Sequence, residues 1–324
     1  ANTGLALHQL GLPVRLMGKV GADKFGQSIL ELLAERGQGL ADGMLVAEDE
    51  DTSYTIVLSP PGVDRMFFHN PGANDTFRTS DVPLDHLAGA RYFHFGYPPI
   101  MASTFADGGV AFAGLMQSIK QRGLTTSLDM AYPDPDSPAG RVDWGRWLAT
   151  VLPHIDIFLP SLDEILFMLD RPRLEALDRG KLKLSLTLLR SLSRQLLDLG
   201  AAIVVLKLGD NGLYVRATAD QARLAAMGAG QPPDPAAWCG FEQVAPCFKA
   251  DVVGTTGAGD CTIAGFLAGL SQGLSPEQVV TMAVAVGAFN VESADATSGI
   301  PTWETVRARV EAGWERLTQT IESA

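Results

Sequence analysis

Along this chain, short apolar runs with β-type composition alternate with longer stretches in which apolar residues return every three or four positions. The opening stretch Thr3 to Leu10 has the helical spacing and meets a stop at Gly11-Leu12-Pro13. A short strand, Val14 to Met17, is predicted next, and Gly18-Lys19-Val20-Gly21-Ala22-Asp23 then turns the chain. Asp23 is placed to cap a helix from about Lys24 to Arg36 that ends at Gly37. Between Met44 and Asn70 the texture changes to Met44–Val46, Thr52–Ser59 and Arg65–His69, separated by acidic or Pro/Gly turns. This predicts a small β-meander that projects as a lid, with residues of about 14–20 and 44–70 forming it. Arg65 and His69 could face a site beneath the lid, although a solvated strand position is the default for both.

After Pro71 strand and helix patterns alternate: Tyr92–Phe95, a helix near Ser103–Arg122, Thr125–Asp129, a helix near Trp144–Leu152, then Ile155–Pro160. Helices between Leu162 and Leu199 follow, then the strand Ala202–Lys207 and a tight turn at Asp210-Asn211-Gly212 leading to Leu213–Arg216. Such alternation predicts a mostly parallel central sheet covered on both faces, a three-layer α/β/α arrangement. The Gly/Pro/Ala-rich segment Met227–Ala237 reads as a surface loop within it. Two further helices close the chain, and no internal repeat is visible, so residues 1–324 are expected to form one domain plus the lid.

An apolar fraction of 46% with 19% charged residues is that of a globular protein. The formal net charge of −12 argues against nucleic acid or an anionic membrane as partner. An anionic nucleotide is still admissible where backbone N–H groups, a divalent cation or a few basic side chains compensate locally. Cys239, Cys247 and Cys261 fit neither a disulfide framework nor a zinc cluster. Apolar stretches too short for a bilayer and the lack of a leader pattern complete the expectation of a cytoplasmic protein. Asn74-Asp75-Thr76 matches a glycosylation acceptor only formally.

The chemistry concentrates in Thr255-Thr256-Gly257-Ala258-Gly259-Asp260, which opens an apolar, small-residue helix from Cys261 to Leu270. Glycines before a helix let backbone N–H groups converge on an anion at the positive helix end. Asp260 would repel phosphate as a ligand but suits a proton acceptor beside a transferring phosphoryl group. The competing reading is an N-cap aspartate in a plain glycine turn, and local chemistry leaves both open.

At these residues the chain resembles the ribokinase-like (PfkB) carbohydrate kinase family, whose C-terminal motif is a Thr-Thr-Gly-Ala-Gly-Asp run leading into a helix. The likeness extends in order to Asn2 with its helix, Gly18-Lys19-Val20-Gly21-Ala22-Asp23-Lys24-Phe25-Gly26, Pro71-Gly72-Ala73-Asn74, Pro160-Ser161-Leu162-Asp163-Glu164 and Lys207-Leu208-Gly209-Asp210-Asn211-Gly212. The resemblance implies an ATP- and Mg²⁺-dependent kinase acting on a hydroxyl of a sugar or sugar-like molecule. It implies Asp260 as catalytic base in contact with substrate and Gly257, Ala258 and Gly259 as the anion hole. It further implies Lys207, Gly209, Gly212, Thr255 and Thr256 near the nucleotide, Asn2 on substrate hydroxyls and Glu164 on the magnesium side.

Three departures stand out. The glycine pair expected before Asn2, and the family's first strand with its acidic substrate ligand, are missing, which leads us to expect upstream residues in the natural chain. Gly254 stands where many members carry an aspartate for a monovalent cation, which makes potassium activation doubtful. Ser161 replaces the usual asparagine of the magnesium-side motif. A dinucleotide oxidoreductase is disfavoured because the glycine turn lies late in the chain. A nucleoside kinase and a non-catalytic sugar- or nucleotide-binding regulator of the same fold remain as alternatives, and a homodimer through the lid's open edge is expected as a possible assembly.

Overall fold

Ile203-Val204-Val205-Leu206 sends alternate side chains to opposite apolar layers, as a strand buried on both faces must. This strand belongs to a computed structural model that describes residues 1–58 and 66–322. Its strands are β1 Met17–Gly21, β2 Gly43–Ala47, β3 Tyr54–Leu58, β4 Met66–Asn70, β5 Tyr92–Phe95, β6 Thr125–Leu128, β7 Ile157–Phe158, β8 Ile203–Lys207, β9 Leu213–Ala217 and β10 Glu242–Ala245. Its helices are α1 Asn2–Gln9, α2 Lys24–Arg36, α3 Val110–Gln121, α4 Trp144–Val151, α5 Leu162–Leu169, α6 Arg171–Asp178, α7 Leu186–Asp198, α8 Gln221–Ala225, α9 Pro235–Trp238, α10 Ala258–Ser271, α11 Pro276–Val291 and α12 Trp303–Glu311.

The central sheet runs β10-β9-β8-β7-β6-β5, with β5 to β8 parallel and β9 and β10 antiparallel. One apolar layer joins Phe158, Val204, Leu206 and Tyr214 of the sheet to α3, α4, α5 and α7. The other joins Ile157, Ile203, Val205, Leu213 and Val215 to α1, α10, α11 and α12. The protein is thus a three-layer α/β/α fold with a mostly parallel sheet, as the alternating pattern predicts.

Local sequence explains the individual helices. In α7 the Ser185 side chain accepts the Leu188 N–H, and Leu188, Leu189, Leu192 and Leu196 form one buried stripe. Each buried leucine contributes about 1.5–3 kcal/mol of transfer free energy. In α11 a Ser275–Gln278 capping box and Pro276 in the first turn set the start. Helix α10 is buried on nearly every side, in keeping with its lack of charged residues beyond the first turn.

Some expectations need revision. Gly18 to Gly21 is strand rather than turn: β1 pairs in parallel with β2, and α2 provides the crossover between them. At Gly21 the backbone of residues 50–52 approaches so closely that a Cβ would lie 2.1 Å from the Glu50 carbonyl oxygen. Because β2 pairs with β1, residues 44–70 do not form a continuous meander, and the antiparallel pair is β3 with β4 alone. The helix predicted from Ser103 begins only at Val110, since Asp107 binds the Gly109 and Ala111 N–H groups and folds the chain into a turn first. Asp23 caps α2 as predicted, accepting from the Gly26 N–H at 2.7 Å, and also holds the Thr52 N–H at 2.8 Å.

Candidate active site

The parallel strands β5, β6 and β8 end on one side of the sheet, where side chains beyond the strand termini converge. Helix α10 opens there. Gly257 is its N-cap with φ of 80°, and a Cβ at this position would stand 2.5 Å from the Ala296 carbonyl oxygen, so only glycine allows the turn to close. No side chain caps α10. Asp260 lies in the first helical turn, and its carboxylate bonds side chains from elsewhere in the chain, which sets aside the N-cap reading.

Helix α1 packs on α10 and brings two donors to this carboxylate. Asn2 Nδ2 donates to Asp260 Oδ2 at 3.0 Å, and Thr3 Oγ1 donates to Oδ1 at 3.2 Å. The Tyr97 hydroxyl lies 2.8 Å from each of the two carboxylate oxygens. Asp260 itself is 8% exposed. Tyr97 follows β5 in a left-handed conformation, φ 65° and ψ 46°, and among the described residues no other non-glycine residue has a positive φ. Such a backbone costs about 1–3 kcal/mol, and the following Pro98 disfavours helical conformations further. Burial first, then the charge of Asp260, holds the Tyr97 phenol well above its ordinary pKa, so it stays a donor.

Beside this group Lys207, the last residue of β8, pairs with Asp129 beyond β6 at 2.6 Å. The lysine tip lies over Gly259, about 3.5 Å from where a Cβ would be. Asp129 is 1% exposed, and its second oxygen, Oδ2, is buried without a hydrogen-bond partner. Burial pushes the Asp129 carboxyl up to about 8 against the opposing pull of Lys207. The Lys207 ammonium is in turn held above its ordinary value because Asp129, Glu164 and Asp260 outweigh its burial. His94 on β5 bonds Ser127 Oγ at 2.9 Å through Nδ1, and burial lowers its pKa to about 4, so the ring is neutral at ordinary pH.

Glu164 closes a capping box at the start of α5: its Oε2 accepts the Ser161 N–H at 2.6 Å and Ser161 Oγ accepts the Glu164 N–H. Ser161 bridges in turn to Lys207, which sets Glu164 beside the ion pair. Gly209 and Gly212 lie in the turn after Lys207, where Gly212 packs on Ala245 to open β9. Thr255 and Thr256 are exposed, and the Thr255 carbonyl accepts the Ala258 N–H at 3.3 Å. His69 is exposed and bonds Thr55, whereas Arg65 falls outside the described residues.

Of the residues picked from sequence, Asn2, Gly259, Asp260 and Lys207 therefore meet, with Glu164 adjacent. Thr3, His94, Tyr97 and Asp129 were missed. Asp129 was legible in principle as the acid beyond a parallel strand, the usual place for ligand groups. Tyr97 carried no such signal.

A basic side chain, backbone N–H groups and a buried carboxylate that makes no ion pair among the described residues suit the handling of a phosphoryl group next to a hydroxyl. Among the described residues no three His, Cys, Asp or Glu side chains cluster to hold a metal alone, and no helix is long and apolar enough to cross a membrane. Comparison with known proteins agrees with the geometry. The chain is 25% identical over 323 residues to 2-dehydro-3-deoxygluconokinase of Bacillus subtilis, covering 96% of this chain and 85% of that protein. Fructokinase of Xylella fastidiosa with bound ATP shares the fold with a TM-score of 0.72 at 19% identity, over 96% of this chain and 89% of that one. An E. coli protein solved with ATP and Mg²⁺ gives 0.70 at 22% identity, over 96% and 87%. The family model for pfkB family carbohydrate kinases matches residues 1–303, and the chain belongs to that family.

Proposed function

We propose that this protein transfers the γ-phosphoryl group of ATP to a hydroxyl of a sugar or sugar-like small molecule, with Asp260 as general base. The supporting observation is the buried Asp260 carboxylate, held by side-chain donors in the first turn of α10 and set beside Lys207. The hydroxyl would donate its proton to Asp260 while the N–H groups of Gly257, Ala258, Gly259 and Asp260 receive the charge on the phosphoryl oxygens. Asn2, already on Asp260, would orient the acceptor. Lys207, Thr255, Thr256, Gly209 and Gly212 would line the nucleotide side.

Magnesium, when bound, offsets charge on the phosphate oxygens. This ion usually takes one or two protein carboxylates and completes its shell with phosphates and water, so a site with Glu164 as its carboxylate fits the residues present.

Strand β3 is exposed along its length, and Tyr54, Ile56, Leu58, Met66 and Phe68 present apolar surface on the β3–β4 pair. A two-stranded pair with this much open apolar area calls for a cover. The reading is a lid that excludes water from the site and pairs with a second copy of the chain. Sedimentation velocity checks the dimer, and a monomer at micromolar concentration would refute it.

The decisive test is ATP consumption against pentoses, hexoses, keto-sugar acids and nucleosides, with Asp260→Asn in parallel. The Bacillus subtilis relative makes keto-sugar acids the class to try first. Turnover on one class that falls about 10²–10⁴-fold in the variant is expected. Ligand binding without turnover in either protein would point to a regulator instead.

A further inference from the structure

A carboxylate offers roughly four lone-pair positions. On Asp260 three donors converge: Asn2 and Thr3 supply one proton each, and the single Tyr97 proton is shared between the two oxygens. If Asp260 is the base, as proposed above, an acceptor hydroxyl competes with these donors for a carboxylate whose two oxygens the phenol already spans, and one donor has to give way. Three observations identify which one. Asn2 and Thr3 sit on α1, which packs along α10, and Thr3 is buried. Tyr97 instead belongs to a connection beyond β5, is partly exposed, and is held in a strained backbone before Pro98. Its single proton is shared between two oxygens, so each of its contacts is weaker than a linear bond.

We propose that Tyr97 is a displaceable cap: its phenol holds the acceptor-hydroxyl position on Asp260 in the empty enzyme, keeps water from that position, and yields to the incoming substrate hydroxyl. The substrate O–H then replaces the phenol O–H. As its oxygen bonds to the γ-phosphorus its proton passes to Asp260, and the bond from phosphorus to the bridging oxygen breaks with the electron pair leaving on ADP. The cap accounts for what an open base would invite, which is ATP hydrolysis when no acceptor is bound.

The test compares acceptor-free ATP hydrolysis, and KM with kcat for the acceptor found in the panel, in the native chain, Tyr97→Phe and Tyr97→Gly. Each is repeated with Asp260→Asn. The glycine variant suits the positive φ and so guards against a folding artefact in the other. A cap predicts that both variants raise acceptor-free hydrolysis about tenfold, the order that one hydrogen bond to a charged group carries, and that Asp260→Asn abolishes the rise. It also predicts a several-fold lower KM for the acceptor. Hydrolysis that stays level or falls, or a fall in kcat with KM unmoved, would overturn the cap, the second by showing Tyr97 to be a fixed positioning residue. The hydrolysis arm needs no acceptor, so it judges the cap separately from the panel, in which a native chain that phosphorylates nothing would sink the kinase reading.

Discussion

Two buried aspartates sit at opposite ends of the same parallel strands, and they are treated in opposite ways. Asp156, just before β7, is fully buried and saturated: Lys120 Nζ at 2.5 Å, Arg223 at 2.7 Å, and the Thr126 N–H and hydroxyl at 2.9 and 3.1 Å. Asp129, just after β6, has Lys207 on one oxygen and nothing on the other. A buried charge with all its partners made fixes the packing of the elements that supply them, here α3, α8 and β6. One left half-satisfied keeps capacity for a ligand, and it lies at the strand ends where α/β folds place their sites. The difference is one of partners: protein groups fix both oxygens of Asp156, whereas Asp129 Oδ2 is left open beside the proposed site.

The comparison can be broken from either end. Asp156→Ala leaves Lys120 and Arg223 facing a buried void and is expected to cost about 3–5 kcal/mol in urea unfolding, while kcat/KM per folded molecule holds. A loss of activity without a loss of stability would reverse the assignment. The smaller effect is at Asp129. Its carboxyl is raised in the folded state, from about 4 in an unfolded chain to about 8, so its contribution to stability is full below the ordinary carboxylate range and is lost as pH rises toward 8. Relative to Asp129→Asn, the native chain should therefore lose stability between pH 5 and 8, by at most about 1.4 kcal/mol per pH unit, and level off above 8. Unfolding curves of both proteins across that range would show it; parallel curves would mean that Lys207 keeps Asp129 ionised throughout.

Much of this was legible in the residues. Cap and stop at Asp23 and Gly37 bounded α2 as predicted, the strand Tyr92–Phe95 agreed residue for residue, and the glycine turn before α10 lies where Gly257 requires it. The β1–β2 pairing was not legible. Glycines at 18 and 21 look like a turn until the backbone of residues 50–52 is known to need the room at Gly21. Asp156 was opaque, since an isolated acid before a strand shows its role only through its partners, and Asp129 showed no more than its place beyond a parallel strand.

The sequence by itself determined most strands of the central sheet, the capped helix α2, the two-faced burial of the sheet and the family motif at 255–260, because caps, turns and apolar periodicity are encoded over a few neighbouring residues. The tertiary structure alone decided what Asp260 binds. Asn2 is 258 positions away and Tyr97 163, and contacts at such separations are set by how α1, β5 and α10 pack, which no local pattern records.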